Sequence, residues 1–192
     1  MSFYSEVELQ ALGLARCGHD VKISRKASLY NCGSISIGNH VRIDDFCVLS
    51  AGAGGIVIGD HVHIAVFSSM IGAGRTELGD FCNISSRVSI YSSNDDYSGM
   101  TMTNPMVPPE FTGVTHSPVN IGKHAIIGSG SVVLPGVRIE AGVAIGALSL
   151  VAEDCHEFGI YAGIPAKKIG DRKRDLFELE RRMRLMQQGH SG

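Results

Sequence analysis

Asp95 and Asp96 stand together where a run of evenly spaced aliphatic residues gives way to irregular sequence, YSSNDDYSG. A carboxylate placed there can hold an amine through a charge-assisted hydrogen bond. Its ordinary pKa of about 3.9 makes it a poor proton acceptor for a weakly acidic hydroxyl. Histidine is the alternative base. Of the eight in the chain, three are candidates: His63, His116 and His124, with His116 at the far end of the irregular segment. The pair His61 and His63 invites a metal reading, but no metal is expected. The five cysteines, Cys17, Cys32, Cys47, Cys82 and Cys155, form no CxxC pair. They read as reduced residues, with Cys47, Cys82 and Cys155 at small inward positions of a core.

Such groups need a scaffold to position them, and a period of six residues supplies it. From Ile121 to Cys155 the chain reads IGKHAI, IGSGSV, VLPGVR, IEAGVA, IGALSL, VAEDC. Each block opens on Ile or Val and carries a second, smaller inward residue four places on: Ala125, Ser131, Val137, Val143, Ser149 and Cys155. Glycine often follows the opening residue, where a corner is expected. The same blocks begin earlier at Cys17, Ile23 and Leu29, then at Ile37, Ile43 and Leu49, then at Ile58, Ile64 and Met70, then at Leu78, Ile84 and Ile90. Two or three extra residues follow every third block, so three blocks make one coil of triangular section. Coils of this kind stack into a solenoid, each burying what it cannot bury alone.

The chain of 192 residues suits a single domain, 1–192, with solenoid coils over 17–90 and 121–155. Residues 91–119 leave the repeat, and Pro105, Pro108 and Pro109 argue against any regular element there. A loop of that length inside a compact domain is expected to be functional. Residues 3–14 predict a short helix, with Ser5 and Glu8 spaced as a capping box and Gly13 ending it, placed to plug one end of the solenoid. Residues 171–187 predict a second helix. Leu176, Leu179, Met183 and Met186 form its apolar stripe, and Glu178–Arg182 and Glu180–Arg184 its ion pairs. That stripe is expected to cap the other end or to pack on a neighbouring subunit.

A net charge of −2 gives no bulk attraction to nucleic acid or to a membrane surface. Glu6 and Glu8 sit where a signal peptide would be basic, and no apolar run approaches the ~20 residues of a membrane span. A cytoplasmic protein is expected.

The hexads from Cys17 to about Arg172, with GIYAGIPAKKI after the last coil, resemble the hexapeptide-repeat acyltransferases. The resemblance implies an all-β solenoid, the left-handed parallel β-helix, assembled as homotrimers that bind acyl-coenzyme A in the cleft between adjacent subunits. The stretches FYSEVELQALG, ISRKASLYNCG, ISIGNHVRIDDFCVLS and FCNISSRVSIYSSNDDYSG are more specific, because they extend outside the hexads. They resemble the sugar N-acyltransferases of anthrose biosynthesis, which acylate the 4-amino group of dTDP-4-amino-4,6-dideoxyglucose. A nucleotide-linked amino sugar, dTDP-linked, is the acceptor this implies, and surface polysaccharide the destination.

That resemblance also carries site residues over. Sugar and serine O-acetyltransferases of the superfamily keep a His base where this chain has Asp95, which favours an amine over a hydroxyl acceptor. Asp95 would orient the amine and Ser85 would give a second polar contact. Ser129 and Ala147 match positions lining the pantetheine channel, and Lys167 matches a basic residue near the nucleotide phosphates. Lys168 and Arg172 to Arg174 are expected as solvated basic surface. The rival readings are an O-acetyltransferase using one of the histidines and a non-catalytic hexapeptide scaffold. The repeat alone would also suit a γ-class carbonic anhydrase, but no two histidines here have the H-x4-H spacing of that class.

Overall fold

The computed structural model describes residues 2–189. The hexads become short strands laid in three sheets, one per face of a triangular coil, with six, eight and six strands. They run parallel throughout except for the last strand of the second sheet, Lys167–Asp171, which runs antiparallel. Each hexad-opening residue stacks on the equivalent residue of the next coil. On the first face Cys17, Ile37, Ile58, Leu78, Ile121 and Ile139 are in register. On the second face the ladder is Ile23, Ile43, Ile64, Ile84, Ile127 and Ile145. On the third it is Leu29, Leu49, Met70, Ile90, Val133 and Val151. Apart from Cys17 and Leu29 in the first coil these side chains are buried, each worth roughly 1.5–3 kcal/mol against exposure. Cys47, Cys82 and Cys155 fill the small inward positions, whereas Cys17 is exposed in the terminal coil.

The glycines after the opening residues serve closeness rather than turning. A Cβ on Gly38 would come within 2.7 Å of the Gly59 carbonyl carbon, and one on Gly79 within 2.7 Å of the Lys123 nitrogen. The corner itself is turned two residues later, in the left-handed region, mostly by residues with side chains. His40, His61, Phe81, His124 and Phe158 do so between the first and second faces, and Phe46, Phe67, Arg87, Gly130 and Leu148 between the second and third. Stacking offsets the conformational cost at the first of these corners. The rings of His40 and His61, His61 and Phe81, and Phe81 and His124 lie nearly parallel, with centroids 4.5–4.8 Å apart.

The first helix, α1, covers Glu6–Ala11 and is shorter than the 3–14 span expected. Its capping box of Ser5 and Glu8 forms, while Phe3 is drawn into an antiparallel bridge with Ser24. The second helix, α2, covers Asp175–Gly189 and starts later than residue 171, because Lys167–Asp171 forms a strand returning along Gly159–Ala162. It neither caps an end nor exposes a clean apolar stripe. It lies along the ring ladder of its own solenoid, where Phe177 meets His124 and Phe158 edge-on. Glu180 bonds His124, Lys123 and Arg184, and Leu179 and Met186 are exposed. The Glu180–Arg184 pair forms as expected, but Glu178 pairs with Arg181 rather than Arg182.

The excursion at 91–119 is an arm with a regular neck. Ser93–Asn94 and Thr115–His116 pair antiparallel, and Pro109–Phe111 makes a single 3-10 turn. The prolines keep strands out of the middle of the arm but not out of its base.

Candidate functional site

The arm springs from the corner between the third face and the next coil, and its neck brings distant residues together. Ser93 and His116 are cross-strand partners, and the Ser93 hydroxyl lies 2.7 Å from His116 Nδ1. Asp95 follows two residues after Ser93, at the rim of a shallow depression of about 470 Å³ also lined by Tyr97, Met100 and Thr115. The two aspartates divide their work. Asp96 accepts from the backbone nitrogens of Ser98 and Thr101 and from the Thr101 hydroxyl, which folds the start of the arm. Hydrogen bonds from Ser98 and then Thr101 hold its pKa down at about 2. Asp95 makes no hydrogen bond or ion pair among the described residues and is exposed. Asp96 is therefore the aspartate that forms the turn.

Ser85 lies on another edge. It follows strand Asn83–Ile84 of the second face, where the chain turns onto the third. Its backbone is fixed on both sides, its nitrogen donating to the Ile127 carbonyl and its carbonyl accepting from the Ser68 hydroxyl, so its half-buried side chain has a defined place. The strand Ser89–Tyr91 separates Ser85 from Asp95. Within one chain these two residues stand at opposite edges of the third face and do not share a pocket.

The remaining expected positions fall in line with Ser85. Register places Gly128 beside Ser85 in the next coil, so Ser129 and then Ala147 follow along the same corner. The Leu148 nitrogen bonds the Ser129 carbonyl, tying the two coils. The GIPAK segment closes the row. Gly163 donates to the Ser149 hydroxyl and accepts from the Leu150 nitrogen, and Ala166 donates to the Leu150 carbonyl. Lys167 pairs across from Ala162 and reaches Glu153 at 3.1 Å, its side chain largely in solvent. Successive coils are about 4.8 Å apart, so Ser85, Ser129, Ala147 and the Ala162–Lys167 turn span roughly 14 Å in a nearly straight row.

The other histidines are committed elsewhere. His124 is nearly buried, sandwiched in the ring ladder with Nε2 2.7 Å from Glu180. His63 lies on the second face with Nε2 2.9 Å from Asp44, and Arg42 holds the other oxygen of that buried carboxylate. Burial raises the Asp44 pKa, but the bonds from His63 and Arg42 outweigh it and leave it below the ordinary value. His61 belongs to the corner ladder and His63 to a face, so the chain turns between them. Among the described residues no group of three or more His, Cys, Asp or Glu could hold a metal ion. The expected basic surface is partly structural. Arg172 donates to the His124 and Gly142 carbonyls, and the Arg174 guanidinium lies 4.2 Å from the Phe158 ring centroid. Sequence reasoning gave no role to Ser93, and two-residue strands carry no periodic signal that would have paired it with His116.

The family model described as bacterial transferase hexapeptide (six repeats) matches residues 118–153. Over 180 residues the chain is 58% identical to the dTDP-4-amino-4,6-dideoxy-D-glucose acyltransferase of Escherichia coli, covering 94% of each. The chain belongs to the hexapeptide-repeat acyltransferases. It is 33% identical over 148 residues to a second Escherichia coli member described as a putative lipopolysaccharide biosynthesis O-acetyl transferase, covering 72% of each. It also matches the crystal structure of AntD, an N-acyltransferase from Bacillus cereus in complex with dTDP and 3-hydroxybutyryl-CoA. That match has a TM-score of 0.93 and 44% identity, covering 97% of this chain and 98% of that one. The solenoid is accordingly the left-handed parallel β-helix of this family of acyltransferases.

Proposed function

We propose that the enzyme transfers an acyl group from acyl-coenzyme A to the amino group of a nucleotide-linked amino-deoxy sugar, dTDP-4-amino-4,6-dideoxyglucose or a close analogue. The observation that carries this reading is the separation of Asp95, which has no hydrogen-bond or ion-pair partner among the described residues, from the row Ser85, Ser129, Ala147 across the third face. The strands of that face, Ser28–Tyr30, Val48–Ala51, Ser69–Gly72, Ser89–Tyr91, Val132–Val133 and Leu150–Val151, contain no charged residue. Strands on each of the other two faces carry arginine or lysine. A closed threefold ring that turns the uncharged face inward sets the Ser85 corner of one chain beside the Asp95 corner of the next. The complete site in this reading lies between subunits of a homotrimer.

The coenzyme A arm lies along Ser129 and Ala147, where small side chains leave backbone groups free for the pantetheine amides, with Lys167 near the nucleotide phosphates as a point charge. The neutral amine attacks the thioester carbonyl directly, and Asp95 orients it by accepting a hydrogen bond from its N–H. The C–N bond forms, the C–S bond breaks, and the departing thiolate takes the excess proton of the amine, leaving amide and free thiol. Ser85 provides a second polar contact. The free cysteines agree with a reducing, cytoplasmic setting. Among the described residues no helix is long and apolar enough to cross a membrane. The product suits surface polysaccharide assembly.

His116 beside Ser93 supports a second reading, O-acetylation of a sugar hydroxyl with His116 as base. Thiol release from several acyl-coenzyme A donors, measured against nucleotide sugars bearing amino or hydroxyl groups, separates the two. Turnover confined to hydroxyl acceptors would remove the N-acyl reading.

A further inference from the structure

We infer that Arg87 is the residue that grips the diphosphate of the nucleotide-linked acceptor. The inference rests on the proposed function above and adds a subsite to it. Arg87 lies two residues after Ser85, at the corner bordering the uncharged face, with its backbone in the left-handed region at φ 62°. The equivalent corner positions in the other coils are Lys26, Phe46, Phe67, Gly130 and Leu148. Of the two charged members of this ladder, Lys26 is paired with Asp45 at 3.3 Å. The Arg87 side chain is exposed and has no carboxylate partner among the described residues. Arg25, Arg75 and Arg181, also exposed, pair with Glu8, Glu77 and Glu178. The exposed Arg16, Arg138 and Arg182 make no ion pair with a carboxylate among the described residues either, but Arg16 and Arg138 lie on the first face and Arg182 on α2, away from the Ser85 corner. The Arg87 backbone nitrogen is fixed by the Val66 carbonyl at 3.0 Å. Its guanidinium leans over the Phe67 ring, 5.8 Å from the centroid, and so toward the N-terminal coils.

That direction identifies the ligand. The donor row runs the opposite way from Ser85, through Ser129 and Ala147 toward Lys167, which leaves the N-terminal side of the site to the acceptor. An acceptor whose amine lies beside Ser85 carries its diphosphate away from the donor, into the reach of Arg87. The planar guanidinium offers paired donors that match phosphate oxygens, and the Phe67 ring beneath it limits its motion before the ligand arrives.

Binding of dTDP, thymidine and coenzyme A to the intact enzyme tests this by calorimetry, with Arg87→Gln and Arg87→Lys as variants. Arg87→Gln is expected to weaken dTDP on the order of 10- to 100-fold, as for loss of hydrogen bonds to a charged group. Thymidine and coenzyme A should bind it as they bind the wild type, and Arg87→Lys should recover part of the loss. The KM for the nucleotide sugar should rise with that for acyl-coenzyme A unchanged. Three results would overturn the inference: unchanged dTDP affinity, weakened coenzyme A affinity in place of dTDP, or loss of the native oligomer in both variants. A wild type that fails to bind dTDP would instead remove the proposed acceptor, which separates failure of the function from failure of this subsite.

Discussion

Glu180 and His124, fifty-six residues apart, meet at 2.7 Å and fasten α2 to the side of the solenoid. Lys123 at 2.8 Å and Arg184 at 2.6 Å complete the contact around a buried carboxylate. Burial raises the Glu180 pKa, but the hydrogen bonds from Lys123, Arg184 and His124 outweigh it and bring the value to about 2. A depressed carboxyl pKa stabilises the folded state above the unfolded value of 4.5, and that contribution fades as pH falls from 4.5 toward 2. Glu180→Gln should lower stability by roughly 1–3 kcal/mol at neutral pH. Thermal melts of the two proteins should converge as pH falls through that window; a constant gap would show that the charge is not what holds the helix.

Asp95 makes no hydrogen bond or ion pair among the described residues, so its replacement should separate activity from stability. Asp95→Asn and Asp95→Ala are expected to lose about 100-fold or more in kcat/KM, the scale of a lost positioning or proton-handling group. Their melting temperatures should match the wild type. Near wild-type kcat/KM in both would take Asp95 out of the mechanism.

Asp96→Ala should behave differently, because Asp96 folds the arm. Its bonds to Ser98 and Thr101 are kept above the unfolded pKa of 3.8 and are lost as pH falls toward about 2. Hydrogen exchange in the variant should rise across residues 96–101 at neutral pH and leave the coils unaffected. Exchange equal to the wild type there would contradict the anchoring role.

The cysteines provide a chemical check on burial. Desolvation pushes the Cys82 thiol up to about 12 and those of Cys47 and Cys155 to about 11, so each stays neutral and enclosed at mildly alkaline pH. Iodoacetamide should label Cys17 and Cys32 in the native protein and reach the other three only after unfolding. Native labelling of Cys82 would mean that the coils open.

A charge on the third face should break the proposed ring. Ser89→Asp lies between the Ser85 and Asp95 edges and would bury an unpaired carboxylate between subunits. Sedimentation should show monomers that remain folded by circular dichroism, with activity lost. Ser36→Asp on the first face serves as control and should sediment as the wild type does. A Ser89→Asp protein that sediments like the control would remove the third face from the interface.

The core was the most legible part of the sequence, because each coil repeats the same demand for an aliphatic residue pointing inward. The register of Ile37 on Ile58 and of Ile90 on Met70 follows directly from the block spacing. What was hidden is non-local or degenerate. Nothing near Glu180 in the sequence announces His124, so the docking of α2 could not be read from its apolar spacing. Asp95 and Asp96 are the same residue type side by side, and only the folded arm shows which one is engaged. The row of Ser85, Ser129 and Ala147 rested on a resemblance, and stacking accounts for its alignment. The spacing of the glycines points to corners, yet Gly38 and Gly79 answer to the neighbouring coil.

The arm leaves the solenoid without interrupting it. Glu77 stacks on Asn120 and Ile90 on Val133 across the excursion, as closely as coils joined by two or three residues. The fold therefore treats the arm as an attachment, with the coil-to-coil contacts passing beneath it. Selection could lengthen, shorten or replace the arm while the coils, and with them the proposed donor row at the opposite edge of the third face, stayed intact. One scaffold can in this way serve a lineage of related sugars, each fitted by changing the part of the chain that the core does not feel.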